Sequence, residues 1–156
     1  MSVVLRIHLG EHASTYSVEG QQYAVPVGAD TLAAMVVGDP PLPEELTNAI
    51  GLLLDHLEDV TREVPAADLA DSVEISGPGL DTIVAVEVGG HTPLPFTLSR
   101  AAAEDVFRTL VTESLADRVN NPGLPAEQAQ RVLGVSCAVV AVLRGLRLDE
   151  VVVVSN

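Results

Sequence analysis

The chain has 156 residues, 47% of them apolar and 19% charged, and its 22 acidic residues outnumber 8 arginines to give a formal net charge of −14. That length suits one domain (1–156) able to build a real core, and the apolar content argues against disorder. With no Lys and an acidic surface, nucleic acid and anionic membrane are poor partners, because phosphate affinity rests on Lys and Arg.

From the N-terminus, "SVVLRIHL" (2–9) alternates from Leu5 onward, with Leu5, Ile7 and Leu9 on one face and Arg6 and His8 on the other. "STYSVEG" (14–20) and "QQYAVPV" (21–27) follow, joined by a Glu19-Gly20 hairpin signal. Pro26 argues against a central place for the third run, since it donates nothing to a ladder. A three-stranded antiparallel meander is expected. "ADTLAAMVV" (29–37) reads as a short helix capped by Asp30. After the breaker cluster "GDPPLP", residues 43–64 form a strong helix. Pro43 and two glutamates sit in its first turn, and Leu46, Ile50, Leu53, Leu54, Leu57 and Val60 make one stripe.

"DSVEISG" (71–77) reads as a strand. "LDTIVAVEV" (80–88) is taken as a helix, although its β-branched content also suits a strand. "GGHTPLPFTL" (89–98) is expected to be a loop, and Ser99 to cap a helix over 100–119 with Leu115 facing inward. Past "NNPGLP", the segment 126–146 is apolar on nearly every side between Val132 and Leu143, the profile of a central helix. The closing "EVVVVSN" reads as a strand covered on both faces.

The longest apolar run is too short for a membrane span of about 20 residues, and "MSVVLRIHLG" lacks the h-region of a signal peptide. A cytoplasmic protein is expected. The single Cys137, inside an apolar run, reads as a buried core residue. The order βββ, helices, β, helices, β describes an α/β, ribonuclease-H-like fold: a mixed five-stranded sheet flanked by helices, as in one lobe of the actin-like ATPases. That topology serves many functions.

Several segments carry a closer likeness. Ser99 begins a helix, Arg118 precedes Pro122-Gly123-Leu124, and a buried helix leads through Gly145-Leu146 to the Val151–Ser155 strand. With "VPVGADTLAAMVVGDPPLPEEL" upstream, this order resembles the second lobe of the exopolyphosphatase and guanosine-pentaphosphate phosphatase (Ppx/GppA) family. The resemblance implies a phosphate loop at the first hairpin and a second one after the fourth strand. In the family the first is Asp-x-Gly-Gly-Gly-Ser; here it is "HLGEHAST", where Gly10 and Ser14 remain, His8 replaces the acid, and Glu11 brings negative charge. The second, "GTSGT", becomes "ISGPGLDT", keeping Ser76 and Gly77, while Pro78 removes a backbone donor. The family's "R-A-D" before the last helix is Gln128-Ala129-Gln130 here.

The resemblance also implies that the general-base Glu and the first lobe's phosphate loop lie outside this sequence. The family's chain continues to a motif ending "R-E-G", whereas this sequence stops at Asn156, and a self-sufficient, repurposed lobe is expected. Phosphate-binding candidates are Gly10, Ser14, Ser76 and Gly77, and Glu11 is the one candidate base. Against the anion-cradle reading of "SGPG" stands that of an ordinary tight turn. His8, Glu11 and His12 invite a metal. The Gly10 turn breaks their spacing, however, and a further ligand and supporting groups are missing, so a solvated strand end with no metal is expected.

The expected function is that of a non-catalytic binding or regulatory protein. It would act as a homo-oligomer or with a protein partner that covers an apolar lobe face. The alternatives are a minimal phosphohydrolase on polyphosphate or pppGpp, needing Mg²⁺ as cofactor, and a phosphate or nucleotide sensor.

Overall fold

The alternation of "LRIHL" is realised literally: Leu5, Ile7 and Leu9 are buried while Arg6 and His8 are exposed. In the computed structural model, which describes residues 2–156, this segment is strand β1 (Val4–Leu9). It pairs antiparallel with β2 (Ser14–Val18), which pairs antiparallel with β3 (Gln21–Val25). The hairpin turns at Glu19 and Gly20, both at positive φ. The other edge of β1 takes β4 (Ser72–Ser76) in parallel, and β4 takes β6 (Glu150–Val153), also in parallel.

The sheet has six strands rather than five. The added strand, β5 (Phe96–Ser99), pairs antiparallel with β6 at the sheet edge, giving the order β3-β2-β1-β4-β6-β5. Its first three residues lie inside the segment read as a loop, and its last is the cap residue Ser99. Four residues directly after a proline are too short to show a period, and an edge position is where such a strand is tolerated.

Helices α1 (Ala29–Ala33), α2 (Pro43–Glu63) and α3 (Leu80–Val88) follow the meander and β4 in turn. The segment 80–88 is thus helical, begun and ended by glycines at positive φ, Gly79 and Gly89. Asp30 does not cap α1: Gly28 holds the cap position and Asp30 lies in the first turn, because the loop after β1 supplies carbonyl partners for the free N–H groups of Ala29 and Asp30. The expected helix over 100–119 is broken into α4 (Arg100–Thr112) and α5 (Leu115–Arg118). Ser99 caps α4 through Ala102 N–H, and Ser114 caps α5 through Asp117 N–H. Leu115 is exposed rather than inward, since the break turns it away from the α4 stripe.

The break is stabilised by Arg118, which is 1% exposed. Its guanidinium donates to the carbonyls of Leu110, Glu113 and Ala129 at 3.0, 2.8 and 3.0 Å. Carbonyls at a helix C-terminus lack intrahelical partners, and one arginine fork satisfies them here. Burial lowers the Arg118 pKa, and the charges of Asp39 and Glu113 oppose that shift.

After a 3₁₀ turn at Ala126–Gln128, α6 (Arg131–Gly145) runs buried from Val132 to Leu143 and packs against α1, α2 and α4. It is the central helix its composition indicates, starting five residues later than the sequence suggested. Cys137 lies on it, fully buried, and burial pushes its thiol up to about 12.

In β6, Val151 and Val153 are buried but Val152 is half-buried. The opposite sheet face carries Arg6, His8, Thr15, Ser17, Glu74, Ser76, Thr97 and Val152, none of them buried. The expected covering of both faces is therefore absent. A run of valines hides which face each residue takes, so alternation could not reveal it. This open face is mostly polar, and Arg6 pairs with Glu74 across it at 3.4 Å. No helix among the described residues is long and apolar enough to cross a membrane.

Candidate functional site

In open α/β sheets, ligands are held where the carboxyl ends of parallel strands meet the following loops. Here the ends of β1 and β4 bring residues 8–13 beside residues 76–79. His8 and Ser76 are register partners on the parallel strands, and the imidazole Nδ1 lies 3.2 Å from the Ser76 Oγ. Gly77 follows at φ 142°, and a Cβ there would meet the Leu9 carbonyl oxygen at 2.0 Å. Only glycine permits this close passage. The sequence-selected residues Gly10, Ser76 and Gly77 thus share one end of the sheet.

Ser14 is drawn elsewhere. It is fully buried, its Oγ 3.0 Å from the Tyr16 hydroxyl, under the face that the helices cover. Burial pushes the Tyr16 phenol up to about 12, and the Ser14 hydrogen bond pulls the other way.

The loop after β1 is engaged by its own chain. Gly10 N–H donates to the Ala13 carbonyl at 2.9 Å. The carbonyls of Gly10 and Glu11 in turn accept from Ala29 and Asp30 N–H at 2.9 and 2.8 Å, so loop oxygens occupy donors at the α1 N-terminus. Two residues that sequence reasoning missed complete the arrangement. Arg131, the first residue of α6, donates through Nε and Nη2 to the two Asp30 carboxylate oxygens, each at 2.9 Å. The same guanidinium lies 3.4 Å from Glu11 Oε2. The Arg131 hydrogen bonds hold the Asp30 carboxyl below its ordinary value, against a smaller opposing effect of burial, and Asp30 raises Arg131 in return. No local signal pointed to this pair, because its members lie 101 positions apart.

His12 also belongs here. One ligand atom each from Glu11, His12 and Asp30 falls within a set whose members are all within 4.8 Å of one another. His8, grouped with Glu11 and His12 on sequence, faces Ser76 instead.

This architecture, a mixed sheet with a parallel centre and helices, is that of an actin-like lobe. No family model matches the sequence, and no curated protein does. Solved structures match in fold, among them exopolyphosphatases and Ppx/GppA phosphatases. An exopolyphosphatase-like protein superposes with a TM-score of 0.89 at 16% identity, over 99% of this chain and 55% of that one. The Ppx/GppA phosphatase of Aquifex aeolicus gives 0.84 at 18% identity, over 99% and 53%. An exopolyphosphatase from Cytophaga hutchinsonii gives 0.73 at 14%, over 99% and 53%. The chain spans about half the length of the structures it matches, and its fold is that of a single lobe of such proteins.

Proposed function

We propose that this protein is a non-catalytic binding or regulatory module built on the second lobe of a Ppx/GppA-type phosphatase. The observation that carries this reading is the state of the first loop. Glu11 points its carboxylate at Arg131, the guanidinium beside the loop, and Asp30 already holds that group by a two-point fork. The α1 N–H groups nearby are taken by loop carbonyls, Ser14 is buried, and Pro78 offers no donor. A phosphate placed here would meet net negative charge and few free donors, the reverse of an anion nest.

Contacts with a protein partner, or with a second copy, suit a different region. Between α2 and α4, with Arg144 of α6 and Thr47 at its wall, lies a groove of about 400 Å³ lined mostly by Pro43, Leu46, Ile50, Leu54 and Phe107. It is the apolar counterpart to the polar open face of the sheet.

The test is phosphate release from polyphosphate and from pppGpp with Mg²⁺ at high protein concentration. No release is expected. Release that disappears in Glu11→Gln would instead establish a minimal phosphohydrolase with Glu11 as base. A rise in melting temperature with phosphate or nucleotide alone would mark a sensor, since a ligand stabilises by RT ln(1 + [L]/Kd). Neither shift is expected while Glu11 stays in place.

A further inference from the structure

We propose that Glu11, His12 and Asp30 form a binding site for one borderline divalent metal ion, of which Zn²⁺ is the type. The proposal goes beyond the binding-module reading and does not depend on it. On sequence, the loop lacked a further ligand and any supporting group; the tertiary structure supplies both. Asp30 comes from α1 and is pinned to the loop by its own N–H, which donates to the Glu11 carbonyl at 2.8 Å. Arg131 reaches Asp30 from α6 and fixes its carboxylate with two hydrogen bonds, the role that outer groups play around metal ligands.

The chemistry of the donors selects the ion. One imidazole nitrogen with two carboxylate oxygens suits Zn²⁺, whereas Mg²⁺ and Ca²⁺ prefer oxygen throughout. Water would complete the four-coordinate shell. Ligand atoms on one tetrahedral ion with bonds near 2.1 Å lie about 3.4 Å apart. The present spread of up to 4.8 Å must therefore close by side-chain rotation. Glu11 and His12 are exposed, and Glu11 must give up its 3.4 Å contact with Arg131 to reach the ion. The charges favour entry: two carboxylates against one guanidinium leave the cluster at −1, in a chain of net charge −14.

The experiment is isothermal titration of the intact protein with Zn²⁺, with Mg²⁺ and Ca²⁺ in parallel and Co²⁺ absorption as a second readout. One Zn²⁺ per chain is expected, with no saturable binding of Mg²⁺ or Ca²⁺ in the same range. His12→Ala, which changes only an exposed side chain, should weaken binding by about tenfold or more and remove the Co²⁺ spectrum. Asp30→Asn should do likewise, and circular dichroism shows whether that variant has kept its fold. His8→Ala should bind as the parent does. Absence of saturable Zn²⁺ binding, or undiminished binding by His12→Ala, overturns the proposal, and so does loss of binding in His8→Ala alone.

Discussion

Helix α6 and the loop at residues 10–13 touch the same arginine, yet their surroundings are opposite. Beyond Arg131, α6 is buried for twelve consecutive residues, and its neighbours approach so closely that a Cβ on Gly134 would meet the Ala29 carbonyl oxygen at 2.0 Å and the Ala33 nitrogen at 2.7 Å. The loop is exposed and held by backbone hydrogen bonds and ion pairs. Close packing tolerates little change of shape, whereas an exposed loop tolerates changes of charge. That difference explains how a chain at 16–18% identity can share a fold with half of a phosphatase chain: the packing around α6 is the part that tolerates least change.

Four substitutions probe the contrast. Gly134→Val should be the most severe, destabilising by about 4 kcal/mol through overpacking of α1 against α6, or about 10 °C in melting temperature. A loss under about 1 kcal/mol by calorimetry would show that α1 can move away. Arg118→Met removes the fork on three carbonyls while keeping much of the volume, and should cost about 3 kcal/mol in urea unfolding. An effect near zero would mean that water replaces the guanidinium.

On the loop side the effects shrink. Asp30→Asn should cost about 1 kcal/mol at pH 7, since it breaks a partly exposed two-point pair. Asp30 has a lowered folded pKa, so its contribution is complete above its ordinary value of 3.8 and is lost as pH falls through the lower folded value. The gap between parent and variant should therefore close in strong acid; a gap that persists unchanged there would mean that the ion pair is not its source. Glu11→Gln should change stability by less than about 0.5 kcal/mol, because its contact with Arg131 is long and exposed. A larger loss would make the loop as structural as the helix.

The legible parts of the sequence were those with a clean period. Leu5, Ile7 and Leu9 announced β1, and the stripe through Ile50, Leu53, Leu57 and Val60 announced α2. The apolar run after Val132 announced a central helix. Phe96–Ser99 was not legible as a strand, because its identity comes from pairing with β6 rather than from its own pattern. Nor was the break at Glu113, which depends on where Arg118 can find carbonyls. Within the site, Gly10, Ser76 and Gly77 could be named from their motifs. Ser14 could be named but not placed: strand alternation turns it inward, toward Tyr16.

The sequence by itself determined the α/β class, the order of most elements and the aliphatic core, because hydrophobic periodicity is a local property of the chain. Only the tertiary structure decided which face of the sheet stays open, that a sixth strand closes the edge, and that Asp30 and Arg131 meet Glu11 and His12. Those outcomes depend on contacts between distant segments. The stretch of chain between Asp30 and Arg131, 101 positions apart, carries no trace of the 2.9 Å hydrogen bonds that join them.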